Sequence, residues 1–356
     1  SEPEPFAVMA RGFALFAADA GDQTYSIDVV DGDGVVHTVE LPGQPVGPLT
    51  VTPDGDARQL VSIFDDESGV TTAAVIVAHP DGTSDQIDLP GTTYGDPKFA
   101  DDGTAYVVST DENGAFSITT VDTGAAAHTV DLPGFLLGDV VVGPDGTASL
   151  VAGEGSGEEA EYYLIRVAPD GTDSDVLLPG NSGASAVSVD GNGSYATTVT
   201  YPTDGSGEYV THVTGLLANG TSWTADIDGM IGNDRPYLSD GIGYQVTYAA
   251  VNNYLDTTSD ITAIDLATGT ATLVADDVPG GLATQYGEPP AVTASDGTTY
   301  WAFNNVDGDA AGTPLTADTT LVIVDRDGSA EVHTLRGLSY QDGGRVRFTT
   351  SGVPFL

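Results

Sequence analysis

Residues 92–134 read TTYGDPKFADDGTAYVVSTDENGAFSITTVDTGAAAHTVDLPG, and this stretch holds one complete structural unit. Thr104-Ala105-Tyr106-Val107-Val108 and Phe116-Ser117-Ile118-Thr119-Thr120 are short runs rich in β-branched and aromatic residues, which suit a pleated surface. Asp102-Gly103, Thr123-Gly124 and Pro133-Gly134 punctuate them. The unit therefore predicts strand A, a tight turn, strand B, a variable loop, strand C, a second tight turn, strand D and a Pro-Gly corner. An Asp-Gly pair between alternating hydrophobic runs predicts a type I′ hairpin, in which both central residues take positive φ.

The same punctuation recurs along the whole chain. The C–D turn returns at Asp33-Gly34, Asp81-Gly82, Thr123-Gly124, Asp170-Gly171, Asn219-Gly220, Thr268-Gly269 and Asp327-Gly328, at intervals of 48, 42, 47, 49, 49 and 59 residues. The A–B turn runs out of phase with it, from Asp54-Gly55 through Asp102-Gly103, Asp145-Gly146, Asp190-Gly191, Asp240-Gly241 and Asp296-Gly297 to Ser351-Gly352. A corner series from Pro42-Gly43 to Arg336-Gly337 closes each unit. Four short antiparallel strands per unit of about 45 residues are the mark of a propeller blade. Pro and Gly recur too often to leave room for a helix.

The expected fold is thus all-β: a single domain over 1–356, a seven-bladed β-propeller with four antiparallel strands per blade. The blades are placed at about 44–91, 92–134, 135–180, 181–229, 230–280 and 281–337, with the seventh made of 338–356 together with 6–43. N- and C-terminal strands share that closing blade, its inner strand being either Arg345–Thr350 or Phe6–Arg11.

The chain has 356 residues, 53 acidic and 9 basic, for a formal charge of −44; Lys98 is its single lysine. Such a charge repels phosphate backbones and anionic bilayers, which argues against nucleic acid and membrane surfaces and favours cations or basic proteins. It fits either an exported protein or one adapted to salt. No cysteine is present, which excludes disulfides, thiolate metal sites and a Cys nucleophile. No apolar run approaches the roughly 18 residues of a membrane span. The start, Ser1-Glu2-Pro3-Glu4-Pro5, has the look of a linker or trimmed mature terminus.

On these turns the chain resembles the YVTN/WD40-like superfamily of bacterial seven-bladed propellers, and in particular is similar to propeller domains of exported actinobacterial repeat proteins. The Gly-His and Trp-Asp signature of true WD40 blades is absent. The resemblance implies a propeller outside the cell or on its surface. It implies no particular activity, because propellers host unrelated functions.

Alternation of antiparallel strands puts the B–C loops and D–A corners on one face, and that face carries the length variation where binding concentrates. Its long loops are Ala250–Asp260, with Asn252, Asn253 and Tyr254, and Asn304–Asp318, with Asn304, Asn305, Asp307 and Asp309. A second constellation recurs in the innermost strand A, where Asp96, Asp139, Asp234, Glu288 and Asp342 occupy one blade position. A ring of carboxylates at the channel mouth would take Ca²⁺, an ion that binds six to eight oxygens, or a basic partner. No cofactor is required; Ca²⁺ is the one the pattern admits. Asn305-Val306-Asp307-Gly308-Asp309 resembles the opening of a calcium loop but has Thr316 where the bidentate Glu belongs. Asp190-Gly191-Asn192-Gly193-Ser194 is explained by the repeating turn alone.

The histidines do not suggest a metal site. His37, His128 and His333 fall on strand D of three blades, as exposed edge residues, and His79 and His212 lie near the ends of different C strands. The arginines are too dispersed for a sialidase, and no nucleophile elbow, P-loop or dinucleotide fingerprint appears. Two functional readings follow. The main one is a non-catalytic exported or cell-surface propeller, monomeric, binding a protein or glycan ligand or neighbouring domains through its loop-rich face. The alternative is a hydrolase or lyase using paired carboxylates at the channel mouth.

Overall fold

A computed structural model describes residues 25–155, 160–180, 182, 186–202, 208–248, 258–282, 291–308, 314–336, 347–348 and 354–355. Among them there is no helix. Six successive antiparallel sheets each follow the order A-B-C-D. The first has strands Gln44–Val51, Ala57–Asp65, Val70–Ala78 and Ser84–Leu89. In the second, Ala105–Thr110, Phe116–Val121 and Ala127–Asp131 follow an inner strand in two pieces, Thr92–Thr93 and Lys98–Phe99. The third comprises Phe135–Val142, Ala148–Glu154, Glu161–Val167 and Asp173–Leu178. Val187–Val189, Gly193–Thr200, Val210–Leu217 and Ser222–Asp228 form the fourth. The fifth runs from Met230–Ile231 and Tyr237–Ser239 through Ile242–Tyr248 and Thr258–Asp265 to Ala271–Pro279. Gly281–Leu282 and Ala291–Thr293, Thr299–Gly308, Pro314–Val324 and Ala330–Arg336 make the sixth.

Before the first sheet stands a hairpin, Tyr25–Val30 with Val36–Leu41, the C and D strands expected of the first unit. At the other end Arg347–Phe348 pairs with Pro354–Phe355 in a short hairpin of its own. That pairing is not the blade-closing one expected of Arg345–Thr350, and Phe6–Arg11 lies outside the described residues. The chain divides into two compact units, 1–136 with 140–154 and 165–174, and 137–139 with 155–164 and 175–356.

The blade-like character rests on burial of both faces of each sheet. In the first, Ala74, Ile76 and Ala78 join Ile27, Val29 and Val39 of the preceding hairpin. The alternate residues Ala73, Val75 and Val77 join Ala105, Val107 and Val121 of the following sheet. A strand buried on both faces reads as a continuous apolar run, which is how residues 73–78 read. In the second unit Tyr244, Val246 and Ile261 pack with Trp301, Phe303 and Val322 in the same manner.

The turns correct one expectation. Asp240-Gly241 is the two-residue hairpin foreseen, with φ of 47° and 80°. Of the other described A–B and C–D Asp-Gly turns, Asp190-Gly191 has positive φ on neither residue and the rest place it on glycine alone. Around Asp81-Gly82, His79 N–H donates to Thr83 O and Gly82 N–H to His79 O, a type I turn followed by a glycine bulge. The aspartate contributes its side chain instead of a left-handed backbone: Asp81 Oδ1 accepts from the Thr83 amide and hydroxyl. At Thr123-Gly124 the left-handed residue is Ala125, with φ of 62°.

A repeated wedge joins neighbouring sheets. The C–D turn glycine approaches a large strand-D side chain of the preceding repeat so closely that a Cβ at Gly82 would stand 2.8 Å from His37 Cβ, and one at Gly171 2.2 Å from His128 Cβ. In the second unit Gly269 faces Trp223 in the same way, and Trp223 Nε1 donates to Leu266 O at 3.0 Å. His37 and His128 therefore serve packing between blades and are more than edge residues, although His128 is exposed; His333 is exposed beside Glu331.

Candidate functional site

Of the strand-A carboxylates, Asp96 and Asp234 lie in interruptions of that strand and Asp139 lies inside the continuous strand Phe135–Val142, none of them at its start. Asp96 and Asp139 follow Gly95 and Gly138, whose φ values are 78° and 73°. Asp234 sits between the two pieces of its inner strand, in a segment held by a buried amide network. Gln245 Nε2 donates to Asn233 O and Oδ1, Thr197 Oγ1 donates to Gln245 Oε1, and Asn233 Oδ1 accepts the Val246 amide. Asp96, Asp139 and Asp234 are all exposed. Glu288 and Asp342 lie outside the described residues, and among those described no group of three or more His, Asp or Glu could hold a metal.

The loop-rich face also differs from expectation. Asn304, Asn305 and Asp307 belong to strand Thr299–Gly308 and pair with Thr319, Asp318 and Thr316. The expected loop 304–318 is thus mostly a long hairpin, and residues 305–308 are extended where a calcium loop would turn. Alternation of Thr, Val and small polar residues suffices for a ladder when a partner strand is in register. Asp309 and Asn252, Asn253 and Tyr254 lie outside the described residues.

The fourth sheet brings together groups that spacing does not. Thr200 ends strand B, His212 is the third residue of strand C, and Asp226 lies on strand D directly opposite His212. Thr200 Oγ1 is 2.7 Å from His212 Nε2, and His212 Nδ1 is 2.7 Å from Asp226 Oδ1. A carboxylate only accepts, so Nδ1 carries hydrogen and, in the neutral ring, Nε2 is left to accept the Thr200 hydroxyl. The His212 side chain is 11% exposed and that of Asp226 71% exposed, so the imidazole is held in the sheet with its carboxylate open to solvent. Gly180 lies over the ring edge: a Cβ there would stand 3.3 Å from His212 Cδ2. Tyr201, 40% exposed, follows Thr200 and meets Tyr209 edge to face at 5.6 Å. These groups stand at the B–C end of the sheet, the end that carries variable loops.

Sequence reasoning passed over this array because its members are 12 and 14 residues apart on three strands. One signal was available. A carboxylate stands three residues before the corner glycine at Glu40, Asp88, Asp131, Asp226 and Asp277, and only His212 puts an imidazole across from it. In the fifth sheet the same end holds Asp260 beside Asp277, whose amide donates to Asp260 Oδ1. Burial is the main cause that raises the Asp260 carboxyl above its ordinary range, and Asp277 and Asp276 add to it.

The architecture is that of a β-propeller. No family model matches the chain, and no curated protein is significantly similar to it in sequence. Among solved structures it is similar to acylaminoacyl peptidase of Pyrococcus horikoshii, with 10% identity and TM-score 0.38, covering 83% of this chain and 46% of that one. It thus spans about half the length of that peptidase. The propeller domain of the Trilobed protease of Pyrococcus furiosus, described with an open velcro topology, matches at 9% identity and TM-score 0.40 over 86% of this chain and all of that one. The AtxE2 isopeptidase matches at 12% identity and TM-score 0.27 over 85% of this chain and 53% of that one. These likenesses are of fold. The reading as a non-catalytic surface domain is corrected: these three neighbours are peptidases or a peptidase domain.

Proposed function

We propose that the chain is a hydrolase propeller in which Thr200, His212 and Asp226 form the acid–base array. The observation that carries this is the continuous run of two short hydrogen bonds from hydroxyl to imidazole to carboxylate. In the proposed step His212 Nε2 takes the Thr200 proton as Oγ1 attacks an acyl carbon, and Asp226 holds the Nδ1–H tautomer and stabilises the imidazolium that forms. The imidazolium then gives its proton to the leaving group, and water attacks the acyl-threonine in the reverse sense. Hydrolysis is also the reaction class of the peptidases among its structural neighbours. Completion of the fold as a single domain of seven blades, with 338–356 and 6–43 sharing the last, belongs to the same proposal.

The test is hydrolysis of a panel of p-nitrophenyl esters and peptide p-nitroanilides by the full chain. His212→Ala is expected to lower turnover by about 10²–10⁴-fold. Thr200→Val should be equally deficient and Thr200→Ser active. Wild type that hydrolyses every member no faster than His212→Ala would overturn the assignment.

A further inference from the structure

Asp81-Gly82-Thr83 and Asp170-Gly171-Thr172 are the same turn in two sheets of the first unit. In each, the residue two before the aspartate donates its amide to the threonine carbonyl and accepts the glycine amide, and the aspartate accepts from the threonine amide and hydroxyl. In each, a strand-D histidine of the preceding repeat lies on the glycine, His37 in one and His128 in the other. The turns differ at the residue that opens them, which is His79 in the first and Ala168 in the second.

The His79 ring stands between two carboxylates. Nδ1 is 2.9 Å from Asp56 Oδ1, at the A–B turn, and Nε2 is 3.1 Å from Asp85 Oδ2, on strand D. Because carboxylates only accept, both contacts are hydrogen bonds only when both ring nitrogens carry protons. A neutral ring keeps one N–H and points a lone pair at the other carboxylate. Further charged groups at this joint, among the described residues, are Asp81, within electrostatic reach of both His79 and His37, Asp31, 3.0 Å from His37 Nε2, and the buried Arg58, within electrostatic reach of Asp56 and charged throughout the range that titrates His79. The His79 side chain is 28% exposed, so it can exchange its proton without unfolding of the sheet.

We infer that Asp56, His79 and Asp85 form a pH-sensitive latch that ties the A–B turn, the C–D turn and strand D of this sheet together while His79 is protonated, and that releases the turn when the proton leaves. The hydrogen bonds to Asp56 and then Asp85 raise the His79 value above its ordinary 6.5, against a smaller opposing effect of burial. The sign follows: stabilisation is complete below the unfolded value and is lost as pH rises through the higher folded one.

Amide hydrogen exchange of the full chain tests this, because the 168–172 turn is an internal control with the same hydrogen bonds and no latch. The protection of residues 79–83 relative to 168–172, corrected for intrinsic exchange, is expected to fall about three- to five-fold between about pH 5.5 and pH 9, a range suited to a half-exposed ion pair. In His79→Gln, and independently in the double variant Asp56→Asn, Asp85→Asn, that ratio should no longer vary with pH. A ratio flat in wild type, or one that falls equally in His79→Gln, would overturn the latch.

Discussion

Alanine at Gly269 should destabilise the protein because of Trp223, and the two residues should be strongly coupled. Gly269 has φ of 72°, a conformation that costs an L-residue about 1–2 kcal/mol. Its Cβ would also stand 2.7 Å from Trp223 Cδ2 and Cε3, and the ring cannot retreat. It lies against Gly215 on its other side, where a Cβ would be 2.5 Å from Cε2, and its Nε1 is bonded to Leu266 O. Overpacking of this kind costs about 1–3 kcal/mol. Gly269→Ala should therefore lose roughly 2–5 kcal/mol, the sum of the two effects. Trp223→Ala removes the obstacle at a cost of its own, below the ~3–5 kcal/mol of a fully buried aromatic because the ring is only half-buried. In that background Gly269→Ala should cost only the backbone part, about 1–2 kcal/mol, so the coupling should be about 1–3 kcal/mol. Equilibrium urea unfolding followed by far-ultraviolet circular dichroism measures all four corners of the cycle, and avoids fluorescence, since one of two tryptophans is removed. Effects that add to within about 0.5 kcal/mol would refute the wedge as a contact that matters between these sheets.

Further outcomes follow from other sites. Hydrogen bonds from the Thr172 hydroxyl and amide hold the Asp170 carboxyl below its ordinary 3.8, so its contribution is present above that value and lost as pH falls through the folded one. Asp170→Asn, which can keep the geometry that Asn219 shows with Thr221, should differ from wild type in stability near neutral pH and converge with it in acid. Asp260 is raised by burial and so opposes folding when ionised; Asp260→Asn should stabilise at neutral pH by less than about 1 kcal/mol, and the gain should shrink as pH falls below the raised value and be gone below the ordinary 3.8. Ala125 holds φ of 62°, so Ala125→Gly should gain about 0.5–1 kcal/mol, the left-handed penalty less the entropy of glycine. A melting temperature that fails to rise with NaCl would contradict the view that a charge of −44 opposes compaction through screened repulsion.

Much of the architecture was legible because it is local chemistry. The strand pairs around Asp102-Gly103 and Thr123-Gly124 stand where the pattern of 92–134 puts them, since a glycine in a tight turn and two alternating flanks suffice to define a hairpin. The turn type was less legible: a type I turn with a glycine bulge needs one left-handed residue where type I′ needs two, and both accept the dipeptide Asp-Gly. The stretch 304–318 was misjudged because its polar residues lack a hydrophobic rhythm, yet Thr319 and Asp318 lie in register to pair with Asn304 and Asn305. The strand-A interruptions were invisible for a related reason, because Gln245 and Thr197 that hold Asn233 come from other strands.

The sequence by itself determined the repeat, the all-strand composition and the order of strands within each unit, because turn-forming dipeptides and period-two burial act over a few residues. Only the tertiary structure decided which side chains meet across strands and between sheets. Thr200, His212 and Asp226 converge because the register of three strands sets Asp226 directly opposite His212 and Thr200 diagonal to it on the same face, and His79 finds two carboxylates because two turns and a strand end at the same edge. A one-residue slip of register would reverse every one of those faces, and register is a property of paired strands that no single strand encodes.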